Sequence, residues 1–167
     1  MTPGSHARST SARRPIRLTV SGTLEHRDLV LRTVGAACKL VTAHTRSQAW
    51  YEFQNQVVSA VSEAFNNLVL HAYGGKEGGR VEIVIRSTPD RIEIEIRDWG
   101  RGFDPKSVPI PALDSLPESG LGLFIIQSFM EARYRRGRPN LLTLRKTLRS
   151  SDAPQPSANE GGGDRRA

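Results

Sequence analysis

The sequence predicts an α/β fold, a two-layer α/β sandwich in which helices cover one face of a mixed or antiparallel sheet. Two long segments, at 24–42 and 48–73, repeat apolar residues at helical spacing. Two short runs between 81 and 96 alternate apolar with charged residues. A strand that alternates in this way buries one side and leaves the other in water, so it needs helices on one face only. Strict strand–helix–strand alternation is missing, which argues against a doubly wound parallel sheet.

The elements follow in chain order. Ile16–Val20 alternates and reads as a strand. From Leu24 to about Thr42, the residues Leu29, Val30, Val34, Ala37, Leu40 and Val41 recur at helical spacing. In Gln48–Tyr73, Val57, Ala60, Val61, Ala64 and Leu68 share one face, and Gly74 and Gly75 close the helix as glycine does at C-termini. Val81, Ile83 and Ile85 alternate with Glu82 and Arg86; Ser87–Asp90 turns the chain; Ile92, Ile94 and Ile96 then alternate with Glu93, Glu95 and Arg97. That pattern is a β-hairpin with one apolar and one charged face. A short helix over 122–131 and a last strand over 141–148 complete the domain.

Size and composition bound the function. A chain of 167 residues, 37% hydrophobic and 25% charged, suits one soluble domain with one core. The domain is placed at 15–149. Residues 1–14, rich in Ser, Thr, Arg and Gly, and 150–167, whose only apolar residues are alanines, read as disordered tails. No apolar run approaches the roughly 20 residues of a membrane span, and no apolar stretch follows the N-terminal arginines as in a secretory signal. No membrane association is expected. The single cysteine, Cys38, reads as a core residue of a protein in a reducing cytoplasm.

The net charge of +7 does not by itself indicate nucleic acid. Arg8, Arg13 and Arg14 lie in the expected tail, and the remaining charge is spread apart from a cluster at Arg133, Arg135, Arg136 and Arg138. No aromatic residues interleave with a basic stripe, as single-strand binders require. Such a surface suits an acidic protein partner or the phosphates of a nucleotide.

Three motifs carry chemistry. Glu63, Asn67 and His71 fall at i, i+4 and i+8 of the second helix, with Ser59 one turn earlier. Carboxylate and amide oxygens suit Mg²⁺, and Glu63 could take a proton from an attacking hydroxyl. A stripe of this kind also describes a solvated helix face. Asn66 and Asn67, however, stand mid-helix against local propensity. Asp98-Trp99-Gly100-Arg101-Gly102 follows a strand; Asp98 could accept from an exocyclic amine such as that of adenine, and the glycines permit close approach of backbone to ligand. The plainer reading is an aspartate turn. Ser119-Gly120-Leu121-Gly122 precedes an apolar helix, where free N–H groups and the helix dipole favour phosphates; the plainer reading is a flexible, serine-capped loop. Between these glycine motifs, Asp104–Glu118 contains Pro105, Pro109, Pro111 and Pro117, and its length suits a functional lid or a disordered segment.

Taken together, E-x₃-N on a helix, D-x-G-x-G after a hairpin strand and G-x-G opening a helix resemble the GHKL (histidine kinase-like ATPase) superfamily, which includes gyrase and the histidine kinases. The stretches at 60–73, 96–105, 119–131 and 140–148 are similar to the anti-sigma kinase branch, the RsbW and SpoIIAB type, and the likeness runs from about Ile16 to Leu148. The resemblance implies ATP and Mg²⁺ as ligands. It implies that Asn67 holds the metal and that Glu63 is the general base. It implies that Asp98 binds the adenine amine, with Gly100 and Gly102 shaping the pocket, and that Gly120, Leu121 and Gly122 meet the phosphates. Thr143 is implied as a further adenine contact, and His71 as a supporting residue.

The function so implied is a cytoplasmic serine/threonine kinase and anti-sigma factor. It would phosphorylate a STAS-domain anti-anti-sigma protein, sequester a sigma factor, and form a homodimer without touching nucleic acid directly. One departure bears on partner contacts: Ala132-Arg133-Tyr134-Arg135-Arg136 stands where that branch suggests an acidic stretch. Two other readings remain. The first is a sigma-binding module that uses nucleotide only structurally, which an intact Glu63 and Asn67 disfavour. The second is the ATPase domain of a histidine kinase, which fits less well because none of His6, His26, His44 and His71 is followed by Glu or Asp.

Overall fold

Alternation along five segments builds the sheet of the computed structural model, which describes residues 14–41, 48–74, 78–102 and 121–148. The strands are β1 (Ile16–Ser21), β2 (Arg80–Ser87), β3 (Arg91–Asp98), β4 (Glu131–Arg135) and β5 (Asn140–Thr147). They lie in the order β1-β2-β3-β5-β4, and each pairing is antiparallel, so the mixed alternative falls away. Register brings the apolar positions into line: Leu18 opposite Ile83, Ile83 opposite Ile96, and Ile94 opposite Leu144. Because successive side chains point to opposite faces, one side of the sheet becomes a continuous apolar layer.

Helices α1 (Arg27–Cys38), α2 (Gln48–Asn67) and α3 (Leu121–Phe129) supply the second layer. Helix α2 is the spine of the core, with Phe53, Val57, Ala60, Val61, Ala64 and Phe65 buried, and α1 adds Val30, Val34, Ala37 and Cys38. Burial of each valine or phenylalanine among them contributes roughly 1.5–3 kcal/mol. The Cys38 thiol is a packing group, pushed up to about 12 by burial. Among the described residues no helix is long and apolar enough to cross a membrane.

Three departures from the sequence reading matter. Leu24–His26 is a 3-10 turn that leads into α1, and Leu29, placed on the apolar face by its spacing, is 49% exposed. The second helix does not run evenly to Tyr73; after Asn67 it widens into a π-helical turn over Leu68–Ala72. The third helix stops at Phe129, and Glu131–Arg135 forms a strand that periodicity had not revealed. Residues 1–13 of the expected tail at 1–14, the expected tail at 150–167, the lid over 104–118 and Gly120 lie outside the described residues.

Candidate functional site

One helical repeat separates Glu63 from Asn67 on α2, so both side chains leave the helix on the same side. Their neighbours Ala60, Ala64, Phe65 and Leu68 are buried, which fixes the roll of the helix and turns Glu63 and Asn67 toward α3. The first turn of α3 comes close to both. A Cβ added to Gly122 would lie 2.8 Å from Glu63 Oε2, and 3.4 and 3.6 Å from Asn67 Nδ2 and Oδ1. A side chain at position 122 would therefore displace the carboxylate. The pair stands at the N-terminal end of α3, where unpaired N–H groups and the helix dipole favour an anion.

The second part of the site is built at the end of β3. Asp98 follows Ile92, Ile94 and Ile96 on the helix-facing side of the sheet and is only 7% exposed. Its Oδ1 accepts from the Gly100 N–H at 2.9 Å and from Asn140 Nδ2 at 2.9 Å. Asn140, directly opposite Asp98 in the β3–β5 register, also donates to the Gly100 carbonyl at 3.1 Å and accepts from the Gly137 N–H at 3.1 Å. This buried amide locks the carboxylate in place. Oδ2 of Asp98 takes no hydrogen bond from the described residues, so this largely buried residue keeps one acceptor open for a ligand donor.

Glycine is required in the loop that follows. Gly102 has φ +69°, and a Cβ there would meet Tyr134 Oη at 2.8 Å and Asn140 Oδ1 at 3.0 Å. At Gly100 a Cβ would lie 2.7 Å from both Cβ and carbonyl O of Ala72. The Arg101 N–H donates to that Ala72 carbonyl at 3.2 Å. Ala72 ends the π-helical turn that continues α2, so the helix carrying Asn67 is tied directly to the loop after Asp98. Tyr73 adds a second tie: its hydroxyl donates to the Arg80 carbonyl at 2.8 Å and accepts from the Trp99 N–H at 3.1 Å. Partial burial pushes the Tyr73 phenol above its ordinary value, which keeps it a donor.

The structure thus groups Glu63, Asn67 and Gly122, groups Asp98, Gly100 and Gly102, and joins the two groups through Ala72. Leu121 opens α3 beside them and is 41% exposed. His71 sits in the π-helical turn and is exposed. Thr143 needs correction. It pairs with Glu95 on one side and Arg133 on the other, on the charged face of the sheet, whereas Asp98 lies on the helix-facing side. Three residues along a strand reverse the face, so a residue opposite Asp98 cannot share it with Thr143. The residue that does is Asn140. The signal for it was a polar side chain at the head of an apolar strand, on the same parity as the buried Leu144.

Asp98 Oδ2 could accept from an exocyclic amine, the glycine contacts leave room only for backbone, and Glu63 and Asn67 offer oxygen donors of the kind that Mg²⁺ prefers. Comparison with known proteins gives the family. Residues 6–146 match the family model of the histidine kinase-like ATPase domain. The chain is 37% identical over 89 residues to a serine-protein kinase RsbW of Oceanobacillus iheyensis, an alignment covering 48% of this chain and 56% of that protein. It is 36% identical over 81 residues to an anti-sigma F factor of Clostridium botulinum, covering 46% and 57%. It is 32% identical over 125 residues to a serine-protein kinase RsbW of Staphylococcus aureus, covering 70% and 75%. The chain therefore spans little more than half the length of the first two relatives and three quarters of the third.

Proposed function

Because the chain belongs to the histidine kinase-like ATPase domain family and is similar to anti-sigma serine kinases, we propose that it is an ATP-dependent protein serine/threonine kinase that works by partner switching. The observation that supports this reading is the approach of Gly122, in the first turn of α3, to the Glu63 carboxylate and the Asn67 amide. The kinase domain is assigned to 15–149.

In this reading Asp98 accepts the adenine amine through Oδ2, held in aim by Asn140. Gly100 and Gly102 let the backbone close on the base, and Gly120, Leu121 and Gly122 meet the phosphates. Asn67 offers its amide oxygen to Mg²⁺, which when bound offsets phosphate charge. Glu63 takes the hydroxyl proton as a serine or threonine oxygen bonds to the γ-phosphorus. The bond from that phosphorus to the β,γ-bridging oxygen breaks, and ADP leaves with the electron pair. Phosphoryl transfer rests mostly on positioning and charge stabilisation, so this small set of residues is sufficient.

The acceptor is a STAS-domain anti-anti-sigma protein, and the same kinase sequesters a sigma factor as a homodimer in the cytoplasm; the names of the relatives support the sigma-factor half of this scheme. The test is to incubate the protein with γ-labelled ATP, Mg²⁺ and candidate STAS partners. Acid-stable phosphate on a partner serine or threonine is the expected result. Tight nucleotide binding with no transfer to any partner that binds the protein would instead make it a non-catalytic sigma-binding module.

A further inference from the structure

The charged face of the sheet carries an ion-pair ladder that breaks off at its last strand. On the inner strands, Arg86 Nη1 lies 2.6 Å from Glu95 Oε1, Arg97 Nη2 lies 2.6 Å from Glu95 Oε2, and Arg145 Nη2 lies 2.6 Å from Glu93 Oε2. Strand β4 adds cations to this face without their complement. Arg133 and Arg135 project on it opposite Thr143 and Leu141, and both are exposed. Among the described residues neither meets a carboxylate. The acidic residue of β4, Glu131, faces Arg145, which Glu93 already holds. Among the described residues Arg17 on the far edge and Arg91 at a strand end also meet no carboxylate, but of the described strands only β4 sets two such arginines in line.

β4 is also an outer strand, and among the described residues no strand pairs with its free edge. Its open N–H and C=O groups can template another strand. A strand laid there would put side chains roughly 4.5–5.5 Å from Arg133 and Arg135. The arginines select what can pair. A second copy of β4 would set arginine against arginine, and a neutral strand would leave both cations unanswered. A strand with carboxylates at alternate positions would continue the ladder outward by one rung. Nucleic acid fits less well, because the aromatic residue of this strand, Tyr134, pairs with Leu142 on the helix-facing side and offers no ring for base stacking.

We infer that β4 is a docking edge for an extended acidic segment of a partner protein, bound by strand addition with Asp or Glu at alternate positions opposite Arg133 and Arg135. The inference rests on the sheet face alone and stands whether or not the kinase assignment holds. The test uses the full chain and a fluorescent peptide that alternates valine with glutamate, read by anisotropy. Binding should be saturable and should weaken with salt. The double variant Arg133→Glu/Arg135→Glu should lose about 10-fold in affinity, within the range expected for two exposed ion pairs turned repulsive. The same variant should gain affinity for a peptide carrying lysine in place of glutamate, an exchange that a misfolded protein could not show. Equal binding of a valine–threonine peptide, equally tight binding of an oligothymidine of the same charge, or no rescue by the lysine peptide in a folded variant would overturn the proposal.

Discussion

Replacing Asp98 with asparagine separates ligand recognition from folding. Oδ1 of Asp98 accepts two hydrogen bonds of 2.9 Å, from Gly100 and Asn140. The amide oxygen of an asparagine can occupy that position and keep both. The change falls on the second atom, where an acceptor becomes an NH₂ donor that would face the amine of an adenine bound as proposed. A hydrogen bond to a charged group contributes about 1.5–3 kcal/mol, so ADP should bind roughly 10- to 150-fold more weakly. Folding loses only the difference between charge-assisted and neutral bonds, about 1 kcal/mol. Asn140→Leu should do the reverse damage. That residue is 1% exposed, and its loss strips a partner from Asp98, the Gly100 carbonyl and the Gly137 N–H. At about 1–3 kcal/mol for each buried group left unpaired, Tm should fall on the order of 10 °C or more. Calorimetric titration with Mg-ADP and thermal unfolding of both variants provide the assay. Wild-type ADP affinity in Asp98→Asn, or a Tm loss in that variant as large as in Asn140→Leu, would refute the reasoning.

Further outcomes follow from the same geometry. Gly122→Ala should fold normally, since alanine favours a helix, yet lose on the order of 10²-fold in phosphotransfer because its Cβ would displace Glu63 Oε2; rate and Tm measured together check this. Glu63→Gln should keep nucleotide and lose about 10²–10⁴-fold in transfer, whereas Asn67→Ala should lose Mg²⁺-dependent binding and activity together; parallel binding and transfer assays distinguish them. On the charged face, burial raises the pKa of Glu95, but hydrogen bonds and charge from Arg86 and Arg97 outweigh burial and hold it below the ordinary value. A folded value below the unfolded one gives stability that is full above about pH 4.3 and is lost as pH falls through the folded value. Glu95→Gln should therefore narrow the stability difference between neutral and acidic pH, as read by urea unfolding at each.

The hairpin and the spine helix were readable in the sequence because their patterns are long and pure. Ile92, Ile94 and Ile96 alternate with charges without interruption, and Val57 to Leu68 keeps helical spacing over three turns. The five residues of β4 offer only Ala132 and Tyr134 as alternating positions, too few to distinguish a strand from the frayed end of α3. The π-helical turn at Leu68–Ala72 leaves no mark in composition, and it ends at Ala72, which lies against Gly100 in a contact made across the fold. The candidate residues on α2 and at the end of β3 stand out by their spacing, whereas the face occupied by Thr143 depends on the pairing of β5 with β3, which spacing along one strand does not reveal. Asn140 was missed for the same reason: its significance lies in being opposite Asp98.

The most direct test of the site is a ¹H–¹⁵N spectrum of the protein titrated with ADP and Mg²⁺. If the nucleotide lies between the Asp98 end of the sheet and the Glu63–Asn67 side of α2, the amides of Gly100, Gly102 and Gly122 and the side-chain amides of Asn67 and Asn140 should shift strongly and saturably. The amides of Glu95 and Thr143, on the charged face, should stay in place. Shifts centred on Glu95 and Thr143, or unmoved glycines at saturating ADP, would contradict the account.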